Sequence, residues 1–308
     1  MEIIRCEPDM IAGVTTVYNA SISSVPHCWP AEEGDLAAAL APAFGIAPGG
    51  TPGVVPLHDE AAFVAREGTS ITGFVHAALE PPDDPYAPEQ GVIPFLAYLR
   101  GERKAGQALL AAAEQHIRAR TIGHSVAFNQ RHRYPFYYMK AAFLSDDMDH
   151  LGAVLGLGGY GRLGGEVFLD WLGFDPPPVP SEPPAADVEI RVEWQDGRGM
   201  LPGLAVRAMR DEAEVGRCRH VSGGEYARAA EASEWAFCTS LHVRREYQGN
   251  GLGRWLLCRS FAELKVRGYH HATISTAADN YRAQALYCNI GYRAADWTYG
   301  WRRDGHAH

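Results

Sequence analysis

Residues 243–257 read Val-Arg-Arg-Glu-Tyr-Gln-Gly-Asn-Gly-Leu-Gly-Arg-Trp-Leu-Leu, and this stretch decides the fold around it. An apolar run precedes it, glycines occupy alternate positions from Gly249 to Gly253, and a helical pattern follows. Glycine permits tight turns and close approach by a ligand. Consecutive amides at a turn that leads into a helix N-terminus bind anions. The stretch therefore predicts a site for the pyrophosphate of a nucleotide-containing cofactor, with three nearby arginines adding positive charge.

The composition of the whole chain limits the class of protein. Its 308 residues favour about two domains. No apolar run is long enough for a membrane span, and the first residues do not resemble a signal peptide. The six cysteines lack paired metal-ligand spacing, so we expect reduced thiols, no bound metal and a cytoplasmic location. A net charge of −9 argues against a nucleic-acid partner and suits a small, cationic one.

A proline-rich segment divides the chain. Residues 176–184 contain six prolines in nine positions, a composition that favours an extended spacer over a strand or a helix. We therefore predict a first domain over residues 1–175, a linker over residues 176–187 and a second domain over residues 188–308.

The two predicted domains carry the same pattern. Apolar positions of the helix that contains Gly106 match those of the helix that contains Gly253 at a constant offset. The Gly-Tyr pair at residues 159–160 likewise corresponds to the pair at residues 291–292. Duplication of one αβ unit explains both matches. Two unrelated α/β domains with similar helix periodicity are the alternative.

Two motifs of the second half resemble those of the GNAT superfamily of N-acetyltransferases. Residues 248–253, Gln-Gly-Asn-Gly-Leu-Gly, resemble its Gln/Arg-x-x-Gly-x-Gly/Ala motif, and residues 280–292 resemble Asn-x-x-Ala-x-x-Leu-Tyr-x-x-x-Gly-Phe/Tyr. The similarity is strong over residues 188–304 and faint over residues 1–175, as in tandem-domain members. It implies an α/β (α+β) fold of two tandem GNAT-like domains, each with a mixed, mostly antiparallel central sheet flanked by helices.

The resemblance also implies acetyl-CoA as cofactor and a small-molecule amine as acceptor, with no nucleic acid or membrane partner, in a monomer or homodimer. Loop amides would bind the pyrophosphate, and the end of the central strand would pair with the pantetheine arm and support the oxyanion. Tyr287 would donate a proton to the departing sulfur. The residues assigned to acetyl-CoA are Leu241, His242, Val243, Gln248, Gly249, Asn250, Gly251, Leu252, Gly253, Arg254, Asn280 and Tyr287.

The general base is not fixed by the sequence. An amine must lose a proton before it attacks the thioester, so a carboxylate, a histidine or a water chain is needed. Phe237 stands where some family members carry a glutamate on the central strand. Glu234 at the strand entrance and His220 on the neighbouring strand are the first candidates. Both residue types are common in purely structural roles, and a water relay competes with them.

The first half departs from the family pattern where the chemistry is needed. Lys104 stands opposite Gly251, and Leu155 stands opposite Tyr287. We therefore predict that the first domain is not catalytic and that it is structural or binds the acceptor, with residues 131–138 as candidate pocket lining.

The sequence thus predicts an acetyl-CoA-dependent N-acetyltransferase whose active site lies in the second domain. The missing strand glutamate favours an alternative, a catalytically inactive protein that binds acyl-CoA as a sensor or scaffold. Another acyl donor or a hydroxyl acceptor also stays open, because the cofactor motif recognises the diphosphate and not the acyl group.

Overall fold

The computed structural model describes residues 1–46, 56–82, 84, 86–121 and 123–305. The Pro/Gly-rich composition of residues 42–56 predicts a loop, and most of these residues lie outside the described part of the chain. The chain forms two compact units: Met1–Gly165 together with Thr298–His308, and Glu166–Trp297. Within the described residues, every helix is too short or too polar to cross a lipid bilayer.

The first unit is built on a sheet that helices flank. Its elements in chain order are β1 (Glu2–Arg5), α1 (Ile11–Ile22), α2 (Glu33–Leu40), β2 (His58–Glu67), β3 (Ser70–Glu80), β4 (Gln90–Tyr98), α3 (Arg103–Arg118), β5 (Ser125–Ala127), β6 (Leu144–Ser145) and α4 (Asp149–Leu157). Strands β1 to β4 pair with their neighbours in antiparallel fashion, and β4 pairs with β5 in parallel. Helix α3 buries one apolar stripe, which includes Leu109, Ala113 and Ile117.

The second unit shares part of this order. The remaining elements are β7 (Gly161–Trp171), β8 (Glu189–Gln195), β9 (Gly203–Arg210), β10 (Ala213–Ser222), α5 (Ala230–Ser233), β11 (Trp235–Val243), α6 (Leu252–Val266), β12 (His271–Ala277), α7 (Tyr281–Cys288) and β13 (Arg293–Arg303). The second unit has no described helix between β8 and β9. The sheet order is β7-β12-β11-β10-β9-β8, and the β11–β12 pair alone among these is parallel. Helix α6 buries Leu256, Phe261 and Leu264 in the core.

Each half of the chain supplies a strand to the unit of the other half. Residues 166–171 of β7 pair with β12 of the second unit, and residues 298–303 of β13 pair with β5 and β6 of the first. Trp171 accordingly packs on Phe261 and Tyr292, with ring centroids 5.5 and 5.8 Å away.

The division into units therefore differs from the boundaries predicted at residues 175 and 188. Strand register decides which unit β7 joins. The proline content of the chain gives no information about register, so it could not predict this assignment. The proline-rich segment itself contacts the second unit, since the carbonyl of Pro180 accepts a hydrogen bond of 3.0 Å from Trp255 Nε1.

The predicted fold class is confirmed: both units have mixed, mostly antiparallel sheets flanked by helices. The predicted bounds of the central strand and of the helix after the glycine loop agree with Trp235–Val243 and Leu252–Val266. Three short elements, α2, α5 and β6, were not predicted. Helix α2 carries a signal that sequence reasoning overlooked, a capping box formed by Glu32 and Asp35.

Candidate active site

A groove of about 410 Å³ opens in the second unit between the end of β11, the start of α6 and α7. Its lining residues are Leu241, Val243, Tyr247, Gln248, Gly249, Gly251, Leu252, Gly253, Arg254, Asn280, Arg282, Ala283, Leu286 and Tyr287. Ten of the twelve residues assigned to the cofactor by sequence are among them. His242 and Asn250 are exposed and do not line the groove. His242 alternates to the other face of β11 from Leu241 and Val243.

The glycine loop sets the shape of the groove at the start of α6. Gly249 and Gly251 have φ angles of 85° and 84°, in the left-handed region that side chains disfavour. Gly251 is also the N-cap of α6, where no side chain accepts from the first amides. These amides are left for solvent or a ligand, and the helix dipole favours an anion there.

Hydrogen bonds hold the groove walls together. Gln248 Nε2 donates to the carbonyl of Val243 at 2.8 Å, and Arg282 Nη1 donates to Gln248 Oε1 at 3.2 Å. Asn280 caps α7 through its side-chain oxygen, and its Nδ2 donates to Thr276 Oγ1 at 3.0 Å. The loop, β11 and α7 are therefore linked by side chains that themselves line the groove or lie beside it.

The charge of the groove is opposite to that of the chain. The net charge of the protein is −9, yet Arg254 and Arg282 line the groove and none of its described lining residues is acidic. Two guanidinium groups and an open helix N-terminus suit a phosphorylated ligand. The residues present therefore fit the diphosphate of a coenzyme A molecule.

Tyr287 lies at the apolar end of the groove lining. Its side chain is almost buried and its ring lies 6.0 Å from that of Tyr292. Burial, with smaller contributions from Cys238 and Cys218, raises the pKa of Tyr287 well above its usual range. The phenol therefore stays protonated at physiological pH and can act as a proton donor.

Strands β11 and β12 diverge close to Tyr287. Their parallel pairing runs from Trp235–His271 to Cys238–Ile274 and then stops. At the same level the register between β10 and β11 shifts, because Thr239 is an extra residue in β11. Such a bulge bends a strand and ends its pairing. The two strands consequently form a wedge that opens toward the end of β11.

Comparisons with known proteins bear on this geometry. Residues 166–292 match the family model of the acetyltransferase (GNAT) family. These residues form a GNAT acetyltransferase domain. A search of curated proteins gives no match.

Solved structures share the two-unit fold at low sequence identity. A tandem GNAT protein from the clavulanic acid biosynthesis pathway is 15% identical, with a TM-score of 0.67 over 100% of this chain and 99% of that one. A GCN5-related N-acetyltransferase from Sphaerobacter thermophilus is 14% identical, with a TM-score of 0.60 over 98% and 95% of the two chains. A glucosamine N-acetyltransferase region of a fungal β-N-acetylglucosaminidase is 14% identical, with a TM-score of 0.63 over 98% of this chain and 38% of that one. These likenesses concern the fold, and the family match over residues 166–292 supports acyl transfer by that domain.

Neither predicted base lies in the groove of the GNAT domain. The Glu234 side chain is 47% exposed, and its Oε2 lies 3.4 Å from His270 Nδ1. His220 is completely buried, with its ring 5.5 Å from that of Phe261. Glu234 thus faces solvent in an ion pair, whereas His220 belongs to the core.

His220 is part of a cluster that the sequence did not reveal. The ligand atoms of Cys218, His220 and Cys238 lie within 4.8 Å of one another, although the expectation from cysteine spacing was that no metal binds. The spacing gave no signal because the three residues meet across two strands. Burial raises the pKa of the Cys218 thiol well above its usual range, and a metal ligand must be a thiolate. Metal binding would therefore require displacement of a strongly held proton.

Glu166 is the titratable residue that sequence reasoning missed. It begins the part of β7 that pairs with β12, and its side chain forms a hydrogen bond with Ser275. Burial raises the pKa of Glu166 to about 7, against the opposing effect of that hydrogen bond. No sequence signal pointed to it, because residue 166 lies outside the domain predicted over residues 188–308.

The first unit differs from the GNAT domain at the positions that correspond to the glycine loop, to Tyr287 and to the open wedge. Arg100 is tied to Asp149 at 2.8 Å and to the carbonyl of Asp147 at 2.9 Å, which fastens the loop before α3 to the start of α4. Leu155 on α4 is buried where Tyr287 stands in the second unit. Pairing of β4 with β5 stops at Ile93.

Aromatic rings fill the space beyond that point in the first unit. The ring centroid of Phe95 lies 5.2 Å from each of the ring centroids of Phe128, Tyr134 and Tyr137. Tyr134, Tyr137 and Tyr138, which sequence analysis offered as pocket lining, are buried in the core of this unit. The wedge that is open in the GNAT domain is thus packed in its counterpart.

Proposed function

We propose that this protein transfers the acetyl group of acetyl-CoA to the amine of a small molecule, and that it does so in the GNAT domain. One observation carries the proposal: the groove joins an anion-binding helix N-terminus to a protonated phenol beside an open wedge of the sheet. Those are the places where the diphosphate and the sulfur of one extended thioester cofactor need contacts. Acetyl-CoA supplies the activated acetyl group, and the protein supplies binding, orientation and protons.

The groove residues have separate roles in this proposal. The amides of Gly249 to Gly253, including that of Asn250, hold the diphosphate with Arg254 and Gln248 beside them. The backbone of Leu241, His242 and Val243 is unpaired with β12 and binds the pantetheine arm as an added strand. The hydroxyl of Tyr287 donates a proton to the leaving sulfur. A backbone amide of the same strand stabilises the oxyanion.

The first unit, in the same proposal, holds no acetyl-CoA. In the first unit, the loop that corresponds to the glycine loop is held to α4 by Arg100, and aromatic side chains fill the space that corresponds to the wedge. A structural role is what this packing supports.

The chemistry of the acceptor follows from charge and from the redox state of the chain. A net charge of −9 favours a cationic amine. All six cysteines are free, as expected of a protein in a reducing compartment such as the cytosol. A monomer or a homodimer is compatible with this reaction, and no nucleic acid takes part.

Release of the coenzyme A thiol tests the function directly. Purified protein is incubated with acetyl-CoA and a panel of primary amines (spermidine, tyramine, D-glucosamine and L-lysine), and thiol release is followed with a colorimetric reagent. We expect release that depends on one of the amines and an acetylated product detectable by mass spectrometry. Tight binding of acetyl-CoA without turnover on a broadened panel would instead favour the inactive sensor or scaffold.

A further inference from the structure

Strand β7 borders β12 on the side away from β11, so it lies one strand from the wedge. Beyond Ile274, strand β12 has no register partner in β11, and its last three residues pair with β7. Ser275 is opposite Phe168, and Ala277 is opposite Glu166. Glu166 therefore lies level with the open end of the wedge, opposite the last residue of β12 and on the side of β12 away from β11.

Glu166 and Tyr287 are on opposite faces of this sheet. Val167 and Leu169 belong to the same core cluster as Tyr287. Phe168 points the other way and stacks on Phe237, with ring centroids 6.3 Å apart. Because side chains alternate along a strand, Glu166 shares the face of Phe168. A thioester carbonyl held in the wedge would have the phenol on one side and this carboxylate on the other.

The reaction needs a proton acceptor on the face away from the phenol. The amine must reach the carbonyl carbon from the side that the departing sulfur and its proton donor do not occupy. Glu234 is exposed and paired with His270. His220 lies beside Cys218, on the face of the sheet that packs into the core. Glu166 is not among the residues that line the groove, but strand pairing places this carboxylate beside β12, level with the open end of the wedge.

We propose, on the basis of the proposed function, that Glu166 is the general base that accepts the proton lost by the acceptor amine. The nitrogen forms a bond to the acetyl carbon and the carbon–sulfur bond breaks. The proton from nitrogen goes to the Glu166 carboxylate, and the Tyr287 hydroxyl gives its proton to the sulfur. Solvent then restores both groups, so the transfer requires no further reactant.

The surroundings of Glu166 suit this role. A base works best when its pKa lies near the working pH, and burial brings the pKa of Glu166 to about 7. Ser275 acts as a positioning residue because its hydrogen bond fixes the direction of the carboxylate. Glu166 also lies near enough to Tyr287 to contribute to the raised pKa of that phenol, and Asp170 follows on the same face of β7.

The role makes the GNAT domain dependent on a residue that precedes the proline-rich segment. The family match also begins at residue 166, with this glutamate. Strand β7, which precedes the proline-rich segment, therefore supplies the GNAT domain with a catalytic side chain as well as a paired strand.

The test compares Glu166→Gln with Asp170→Asn, the same carboxylate-to-amide change four residues further along the same face of β7. Each variant is assayed with acetyl-CoA and the most active amine of the panel between pH 5.5 and 9.5, and acetyl-CoA affinity is measured by calorimetry. We expect Glu166→Gln to lose about 10²-fold in kcat at neutral pH. Its affinity for acetyl-CoA should stay unchanged, and the rise of the rate across pH 7 should disappear. Asp170→Asn should keep both the rate and the pH profile.

Each other outcome contradicts a defined part of the proposal. Unchanged turnover of Glu166→Gln, or a loss in Glu234→Gln in its place, overturns the assignment of the base while the wild-type reaction stands. Equal losses of turnover and acetyl-CoA affinity in Glu166→Gln mean a structural role and also overturn it. A wild-type protein that acetylates no amine on the panel or its extensions overturns the proposed function and the base together.

Discussion

Glu166 forms a side-chain hydrogen bond with Ser275 across the β7–β12 pair, at the level where β12 leaves β11. This contact joins a strand from before the proline-rich segment to the central sheet of the GNAT domain. It places a half-buried carboxylate level with the open end of the wedge, opposite the phenol of Tyr287. The pair of Glu166 and Ser275 therefore belongs to the proposed site and also to the pairing of a strand from the first half with the sheet of the second unit.

Replacing Tyr287 by phenylalanine should separate chemistry from binding. The ring keeps its packing on Tyr292, whereas the proton donor is lost, so we expect kcat to fall by about 10²-fold. The dissociation constant of acetyl-CoA, measured by calorimetry, should change by less than about twofold, since the hydroxyl is one contact of many. Normal turnover in this variant would remove Tyr287 from the mechanism.

The glycine loop allows a matched comparison of one substitution at two positions. Gly251→Ala places a side chain at a φ of 84° and should reduce the free energy of unfolding by about 1–2 kcal/mol. Gly34→Ala lies within helix α2, where an added Cβ meets no atom within 4 Å, and should raise it by about 0.5–1 kcal/mol. Urea unfolding measures both. Equal effects of the two substitutions would contradict the left-handed turn at Gly251.

The free energy of unfolding should depend on pH because of the titration of Glu166. The folded-state pKa of about 7 lies above the ordinary value of 4.5 for a glutamate, so the folded state holds the proton more tightly than the unfolded state. The free energy of unfolding should therefore fall as the pH rises from about 4.5 to 7, then level off. Glu166→Gln lacks this contribution, and the difference between variant and wild type should grow over the same range. Parallel curves for the two proteins would show that Glu166 titrates normally.

One molecule of acetyl-CoA should bind per chain. Calorimetry should give a stoichiometry near one, because only the GNAT domain has an open wedge and an uncapped glycine loop in the described part of the chain. Gly251→Val should abolish this binding, whereas Arg100→Ala in the first unit should leave it intact. Two equivalents, with one lost in Arg100→Ala, would indicate a second site in the first unit.

Strand exchange predicts which fragment of the chain can keep the acetyl-CoA site. A fragment of residues 188–308 lacks β7, which leaves β12 as an unpaired edge and removes Trp171 from its contacts with Phe261 and Tyr292. A fragment of residues 161–308 retains both. We expect acetyl-CoA to raise the melting temperature of the longer fragment alone. A stable, cofactor-binding fragment 188–308 would show that β7 is dispensable.

Local sequence was sufficient for the parts of the fold that depend on neighbours in the chain. Alternation of side chains and helical periodicity predicted β11, α6 and α7. Ten of the residues assigned to the cofactor line the groove, and seven of them lie within the two motifs. The glycines at 249 and 251 could be recognised because a left-handed turn needs that residue type whatever surrounds it. Fold class and the absence of the motif from the first half follow from the same short-range patterns.

Tertiary structure decided what depends on partners far apart in sequence. Residues 166–171 read as the last strand of the first half, yet hydrogen-bond register assigns them to the sheet of the second. The pKa of Glu166 comes from burial there, and the cluster of Cys218, His220 and Cys238 exists because β10 and β11 are adjacent. Sequence thus determined the shape of the anion-binding loop, because single glycines set its backbone geometry. The pairing of strands decided which carboxylate lies level with the open wedge, because burial and register arise only when distant segments meet.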